Sequence, residues 1–474
     1  MRLTSISERV LPSGAILALM PYASASAGAL PLARIARLAL FQLSVGMAVV
    51  LLTGTLNRVM ILELSQPAWL VSSMVSLPLL FAPLRALLGF RSDHHRSVLG
   101  WRRVPFIWAG SMAQFGGLAI MPFALIVLAD PSAGPAWLGP AAASVAFLLV
   151  GVGMHTTQTA GLALATDLAG DEQRPAVVAL LYVMLLLGTI GSALAFSLLL
   201  AEFSYVRLIE VIQGAALLTL VLNTVALWRQ ESLNPARTDP ARRRPTFGAS
   251  WARFIAEPGA RRLLVAIALG TAAFNMQDIL LEPYGGEVLG MSVAGTSSLS
   301  AVWGAGMLCA FLVSARLLAR GSDPLRIGGY GLVLGAFAFA AVIIASPLHS
   351  RALFVVGACL IGFGGGLFAI GTLAAAMNLG STEHKGLALG AWGAVQATSA
   401  GLAIAIGGAA RDGLGHLALN GRLGPALNDP GMSYSVVYHF EILLLAVALL
   451  ALGPIVRGAG QARRTLELHD FPNG

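Results

Sequence analysis

Charge is what this 474-residue sequence has least of. Asp, Glu, Lys and Arg together make up 11% of the chain, against 57% hydrophobic residues. Mean hydropathy is +0.79. A soluble domain carries about 25% charged residues, so this chain has too few to cover water-facing surfaces, and a set of soluble domains is excluded. Lysine is almost missing: Lys385 is the one lysine among thirty basic residues. The two cysteines, Cys309 and Cys359, lie far apart in apolar runs, which argues against a disulfide framework or a zinc site. There is no P-loop, and Gly362-Phe-Gly364-Gly365-Gly366 lies within an apolar run with no strand before it. It reads as close helix packing, and nothing indicates an enzyme. A cleavable signal peptide is not expected, because the first long apolar run begins near Ile35.

Long apolar runs are what the sequence has instead. Each membrane span takes roughly 20 apolar residues, and the chain has room for about twelve. They read as 35–62, 68–89, 104–128, 138–164, 177–200, 205–228, 263–290, 294–318, 327–346, 352–378, 387–410 and 433–456. The 54 glycines suit helices packed closely in lipid. With the N-terminus inside, twenty-five basic residues fall on the inner side. Five fall outside: Arg58, Arg207, Arg351, Arg411 and Arg422. That asymmetry predicts cytoplasmic termini, and it makes the basic balance a topology signal with no nucleic-acid partner implied.

The longest polar interruption, 229–262, divides the chain into a six-span unit (1–228), a cytoplasmic linker and a second six-span unit (263–474). Within the linker, Asn234 to Pro245 reads as a flexible tether. Phe247, Trp251, Phe254 and Ile255 have the spacing of a short helix lying on membrane lipids, with Arg253, Arg261 and Arg262 toward the headgroups. A plain solvated linker is the alternative. The halves also echo each other. A shift of 211 residues places Gly151, Gly153, Asp167, Glu172 and Arg174 on Gly362, Gly364, Asn378, Glu383 and Lys385. The expected fold is therefore an all-α polytopic membrane protein of twelve transmembrane helices, in the major facilitator architecture of two six-helix bundles.

The loop after the second span, Gly89-Phe90-Arg91-Ser92-Asp93-His94-His95-Arg96 to Gly100-Trp101-Arg102-Arg103, resembles the Gly-x-x-x-Asp-x-x-x-Gly-Arg-Arg loop of major facilitator proteins. An aspartate at a helix end accepts from arginines and caps a neighbouring helix. Asp93, Arg96, Arg102, Arg103, Glu172 and Arg174 are thus candidates for a cytoplasmic latch between the bundles. Exposed ion pairs worth about 0–1 kcal/mol are the alternative. His94 and His95 read as surface residues, and no metal site is proposed there.

An ionisable side chain in hydrocarbon is costly, so each one is a functional candidate. The seventh span holds the densest set. Asn275, Asp278 and Glu282 are spaced to share one helical face, followed by Pro283-Tyr284-Gly285-Gly286, where the helix is expected to unwind. With Asn57 and Arg58 of the first span they form a candidate ligand or proton site. A structural clamp on Arg58 is the equal alternative, and Arg58 also has the reach to anchor at the outer interface. His155 is a candidate axial ligand for a pigment, set against an interhelical hydrogen bond with Gln158 or Thr159. His439 and Glu441 are weaker candidates, pointing to different sides of the last span.

Three stretches are more specific: Gly54-Thr-Leu-Asn-Arg-Val-Met60, Gly89 to Pro105, and Gln277-Asp-Ile-Leu-Leu-Glu-Pro-Tyr-Gly-Gly286. Together they closely resemble the PucC/LhaA family of photosynthetic purple bacteria, the bacteriochlorophyll delivery family, from about Leu30 to Arg457. The resemblance implies an assembly factor for light-harvesting complexes in the intracytoplasmic photosynthetic membrane. Its implied partners are the light-harvesting α and β polypeptides, with bacteriochlorophyll as cargo and no dedicated cofactor. Bacteriochlorophyll biosynthesis enzymes and reaction centre assembly intermediates are further partners it brings into view. Between the core antenna, light-harvesting 1, and the peripheral one, the reading leans to the core. A proton-coupled transporter of a small molecule, with Asp278 and Glu282 as relay, is the alternative.

Overall fold

The computed structural model describes residues 23–24, 32–80, 101, 103–130, 132, 134–168, 174–232, 256, 259–378, 385–420 and 430–469. Twelve helices follow in order. They are α1 (Ala33–Glu63), α2 (Ala68–Leu80), α3 (Val104–Ala129), α4 (Leu138–Leu168), α5 (Arg174–Leu199), α6 (Tyr205–Leu227), α7 (Ala260–Glu287), α8 (Val293–Ala319), α9 (Pro324–Ala345), α10 (Arg351–Asn378), α11 (Lys385–Leu419) and α12 (Pro430–His469). Eleven are long and apolar enough to cross a membrane, and α2 is apolar over its shorter described length. The helical fold is therefore the expected one. A two-residue parallel pairing, Ala23–Ser24 with Glu231–Ser232, is the one piece of strand among the described residues. Most of the linker, including Phe247, Trp251, Phe254 and Ile255, lies outside the described residues, as do Asp93, Arg96, Arg102 and Glu172.

Packing repeats with a period of six helices. In the first six, α1 lies on α5 and α6, α3 on α4 and α6, and α2 on α4. In the second six, α7 lies on α11 and α12, α9 on α10 and α12, and α8 on α10. The glycines of the internal echo explain this at atomic contact, because backbones approach closely only where no Cβ intervenes. A Cβ on Gly151 would strike Pro78 of α2, and one on Gly362 would strike the Trp303 carbonyl of α8. Likewise Gly153 lies against the backbone of α3 at Gln114, and Gly364 against that of α9 at Gly331 and Gly335. Each glycine of the first half and its counterpart 211 residues later thus packs on the equivalent helix of its own half.

The halves meet along α2 with α11 and along α5 with α8. With an even number of helices, the two chain ends leave from one face, here called the termini face. Polar contacts between the halves gather toward the opposite face. Ser197 Oγ donates to the Ala294 carbonyl at 2.8 Å, Trp69 N donates to Asp412 Oδ2 at 2.7 Å, and the Thr55 and Ser297 hydroxyls lie 3.3 Å apart. On the termini face, described polar contacts tie the first half to itself. Arg34 and Arg37 donate to the carbonyls of Trp228, Arg229 and Gln230.

Candidate functional site

The break in α7 organises the polar interior. Helix runs from Ala260 to Met276, a 3₁₀ turn covers Gln277–Ile279, and helix resumes over Leu281–Glu287. The expected unwinding at Gly285-Gly286 does not occur. The break lies one turn earlier, and Pro283 sits in the first turn of the resumed helix, where a missing N–H is tolerated. In an unbroken helix the N–H of residue 283 would serve the carbonyl of Ile279. Proline leaves that carbonyl free, and Asn57 Nδ2 of α1 donates to it at 3.0 Å.

The residues of the expected acidic stripe have different hydrogen-bond partners. Asn275 donates back to the Thr271 carbonyl of its own helix at 2.8 Å. Asp278 accepts from its neighbour Gln277. Glu282 reaches two other helices. It accepts from Ser300 Oγ of α8 at 2.7 Å and lies where a Cβ on Gly54 of α1 would be. Asn275, Asp278 and Glu282 therefore make separate hydrogen bonds, the first two within α7 and the third to α8.

Arg58 is only 6% exposed, so anchoring at an aqueous interface is not its role. Its Nη1 pairs with Glu63 Oε1 at 2.5 Å, and its Nη2 lies 3.5 Å from the Met291 carbonyl at the start of α8. The guanidinium packs over Gly286, and it is the cation that bears electrostatically on Glu282. Its ion-pair partner is thus Glu63 of its own segment. Around both residues α1 is wound as π-helix, over Val50–Leu56 and Val59–Glu63, a geometry found often at functional sites.

His155 is 8% exposed and enclosed by protein. Thr159, named as a hydrogen-bond partner, donates its hydroxyl to the His155 backbone carbonyl at 2.7 Å. Gln158 Nε2 donates to Gln42 Oε1 of α1 at 3.4 Å. A separate apolar cavity of about 440 Å³ opens on the outer surface between α1, α5 and α6. Gly188, Gly191, Ser192, Ala195, Gly214 and Ala215 give it a low floor, and Arg207 and Glu210 lie at one end. His155 does not line it.

Of the residues named for the latch, Arg103 is the one whose side chain is described. Its Nε lies 3.2 Å from Asp167 Oδ2 of α4. The Glu231 carboxylate, just past α6, accepts from the backbone N–H groups of Arg103 and Val104 at 2.9–3.1 Å, capping α3. These contacts stay within the first half. Arg174 begins α5.

Several interior groups escaped the sequence reading. At the face opposite the termini, Glu287 Oε2 of α7 accepts from Arg411 Nη2 and from Tyr434 Oη, both at 2.5 Å. Arg411 Nη1 holds Asp412 at 2.8 Å, and its guanidinium carbon stands 5.1 Å from the Tyr434 ring centroid. Asp412 then caps α2 through Trp69 N. One network so joins α7, α11 and α12 to the first half. The sequence signal was present, as an Arg-Asp pair inside an apolar run, but its partners are remote in sequence. Asp167 and Glu231 were missed for the same reason. Glu441, given little weight in the sequence, is fully buried (0% exposed), while His439 beside it faces outward. Among the described residues, no three His, Cys, Asp or Glu side chains are grouped to hold a metal ion.

Solved structures share this fold at low identity. The chain superimposes on the nucleoside transporter NupG (D323A mutant) with a TM-score of 0.65 and 16% identity, covering 89% of this chain and 98% of that one. Closer relatives exist in sequence. The protein described as "Uncharacterized protein in puhA-bchM intergenic region" of Rhodobacter capsulatus is 51% identical over 98% of this chain and 99% of its own length. Protein PucC of Rhodovulum sulfidophilum is 55% identical over 83% of this chain and 88% of its own. The family model described as PUCC protein matches residues 55–460, spanning all three of the distinctive motifs but for Gly54. This chain belongs to the PUCC protein family.

Proposed function

We propose that this protein is an assembly factor for bacterial light-harvesting antenna complexes, with the core antenna as the favoured client. The observation that carries the reading is membership of the PUCC family over almost the whole chain, including the break motif of α7. In this reading the protein sits in the intracytoplasmic photosynthetic membrane with both termini cytoplasmic, the side on which its arginines are concentrated. Its partners are the α and β antenna polypeptides. It works as a binding protein with no bond made or broken.

The outer cavity between α1, α5 and α6 supports a role at the lipid boundary. An apolar trough floored by glycine and alanine suits a flat ring with a long apolar tail, or the helix of a single-span polypeptide. A cargo bacteriochlorophyll seated there would need an axial ligand from somewhere other than His155. His155 remains the candidate only for a pigment admitted between the helices.

The reading is tested by gentle purification from pigmented membranes, with near-infrared absorption and antenna polypeptides quantified in the same sample. Bacteriochlorophyll in proportion to antenna polypeptides is expected of a scaffold. Stoichiometric pigment without polypeptides identifies a pigment carrier. A colourless sample free of antenna polypeptides overturns both. It leaves proton-coupled transport of a small molecule, which the carboxylates within α7, Asp278 and the buried Glu282, favour as the second reading.

A further inference from the structure

The trough between α1, α5 and α6 has a direction. Along α6 it is lined by Arg207, Glu210, Gly214, Leu218 and Leu222, a spacing of three and four residues that keeps one helical face turned to it. Arg207 stands in the first turn of α6, at the face opposite the termini, and Leu222 lies about four turns deeper. From one to the other the trough runs about 22 Å, at ~1.5 Å per residue. On α5, which runs the opposite way, Leu199 is the last residue and Leu187 the deep one. A bilayer with its headgroups is ~40–45 Å thick, so one leaflet takes about 20–22 Å. The trough therefore has the depth of one lipid molecule, from the level of its headgroup to the end of its chains.

Polarity along the trough follows the same order. Apart from Ser192, every lining residue other than Arg207 and Glu210 is apolar. Gly191 and Gly214 leave the floor open, since a Cβ on either would meet no atom within 4 Å. Gly188 differs: a Cβ there would strike the Leu43 backbone of α1, so packing alone holds it to glycine. At the mouth, Arg207 Nη1 lies 3.3 Å from Glu210 Oε2, and both side chains are more than half exposed. One cation and one anion thus stand side by side at the height of the headgroups, above a long apolar floor.

An apolar trough under a paired cation and anion calls for an amphiphile whose polar end carries both charges. A guanidinium forks onto phosphate oxygens, and a carboxylate accepts from a primary ammonium, which has three N–H donors. A quaternary ammonium would offer Glu210 no N–H. A headgroup carrying phosphate alone would set a like charge against it. We propose that the trough binds one phospholipid with an ethanolamine headgroup, its phosphate on Arg207, its ammonium on Glu210, and an acyl chain laid along α6 over Gly214. The site does not rest on the assembly reading. A client seated in the trough takes the lipid's place, so the lipid is tested on protein free of clients.

The experiment is native mass spectrometry of the purified protein, freed of antenna polypeptides and pigment and delipidated in detergent. It is titrated with phosphatidylethanolamine, phosphatidylcholine and phosphatidylglycerol of equal chain length. One phosphatidylethanolamine is expected to bind several-fold more tightly than either other lipid. Glu210→Gln should reduce the preference over phosphatidylcholine, and Arg207→Gln should weaken binding of all three. Gly191→Leu and Gly214→Leu should lose the lipid, while Gly413→Leu, on α11 away from the trough, keeps it. The headgroup comparison needs only the wild type, so it decides even where a variant fails to fold. Equal binding of the three lipids, or a preference for phosphatidylglycerol, overturns the proposal. So does phosphatidylethanolamine bound unchanged by folded Gly191→Leu and Gly214→Leu, which would make it annular lipid held elsewhere on the surface.

Discussion

Asn57 of α1 donates to the carbonyl of Ile279 in α7, the carbonyl that Pro283 leaves without its helical partner. Two of the three motifs therefore meet in one hydrogen bond across the halves of the protein. A buried carbonyl stripped of its partner costs about 1–3 kcal/mol, so Asn57→Ala should destabilise the protein by that order. The relationship also predicts a coupling. Pro283→Ala restores an N–H to serve Ile279, and in that background Asn57→Ala should cost less. Thermal unfolding in detergent of the two single variants and the double variant measures the difference. Strict additivity would mean that Asn57 and Pro283 act separately.

Gly54 is held to glycine by Glu282. A Cβ there would run into the Glu282 carboxylate and come within 2.9 Å of Ser300 Oγ. The expected cost of Gly54→Ala is about 1–3 kcal/mol, the usual range for overpacking. Glu282→Gln should not relieve it, since the amide fills the same volume. Glu282→Ala should relieve part of it by emptying the site. Unfolding temperatures of the three combinations decide between a steric cause and an electrostatic one.

Asp412 holds the two halves together at the face opposite the termini by accepting from Trp69 N. Replacing a capping side chain with alanine costs about 0.5–2 kcal/mol, and here the cost falls on the contact between halves. Asp412→Ala should therefore favour separation at that face. Ser72, which lies against Gly408 of α11, provides the readout. A cysteine placed at Ser72 should react faster with a membrane-permeant maleimide in the Asp412→Ala background. Equal rates would show that apolar packing of α2 on α11 alone keeps this face closed.

Much of the scaffold was legible in the chain, and the reasons are physical. Lipid demands uninterrupted apolar helices, so their number and approximate limits stand in the composition. The glycine echo at 151 and 362 showed the repeat because backbone approach tolerates little else. The site was less legible. The sequence pointed to the right segment of α7 but placed its break at Gly285-Gly286. Where a helix yields depends on which freed carbonyl finds a donor, and Asn57 lies 222 residues from Ile279. Periodicity put Asn275, Asp278 and Glu282 on one face, but it gave no sign that only Glu282 of the three hydrogen-bonds to another helix through the contacts seen, at Ser300 of α8. Arg58 looked like an interfacial anchor because Glu63 and the Gly286 surface that receive it are folded over it only in three dimensions.

The cavity between α1, α5 and α6 allows a test in which folding and function separate. Gly191 and Gly214 line it, and a Cβ at either position would meet no other atom within 4 Å. Larger side chains there project into the trough without displacing the bundle, so Gly191→Leu and Gly214→Leu should leave unfolding temperature and membrane level near those of the wild type. Each also replaces glycine within a helix, which by itself stabilises by up to about 1 kcal/mol. If the trough seats an antenna helix or a pigment tail, the filled variants should lose copurifying antenna polypeptide or pigment while remaining folded. Gly413, on α11, is equally open but lies away from the trough, so Gly413→Leu serves as the control. Loss in the first two variants and not in the third assigns the trough to the client. Undiminished copurification in all three moves the client to another face.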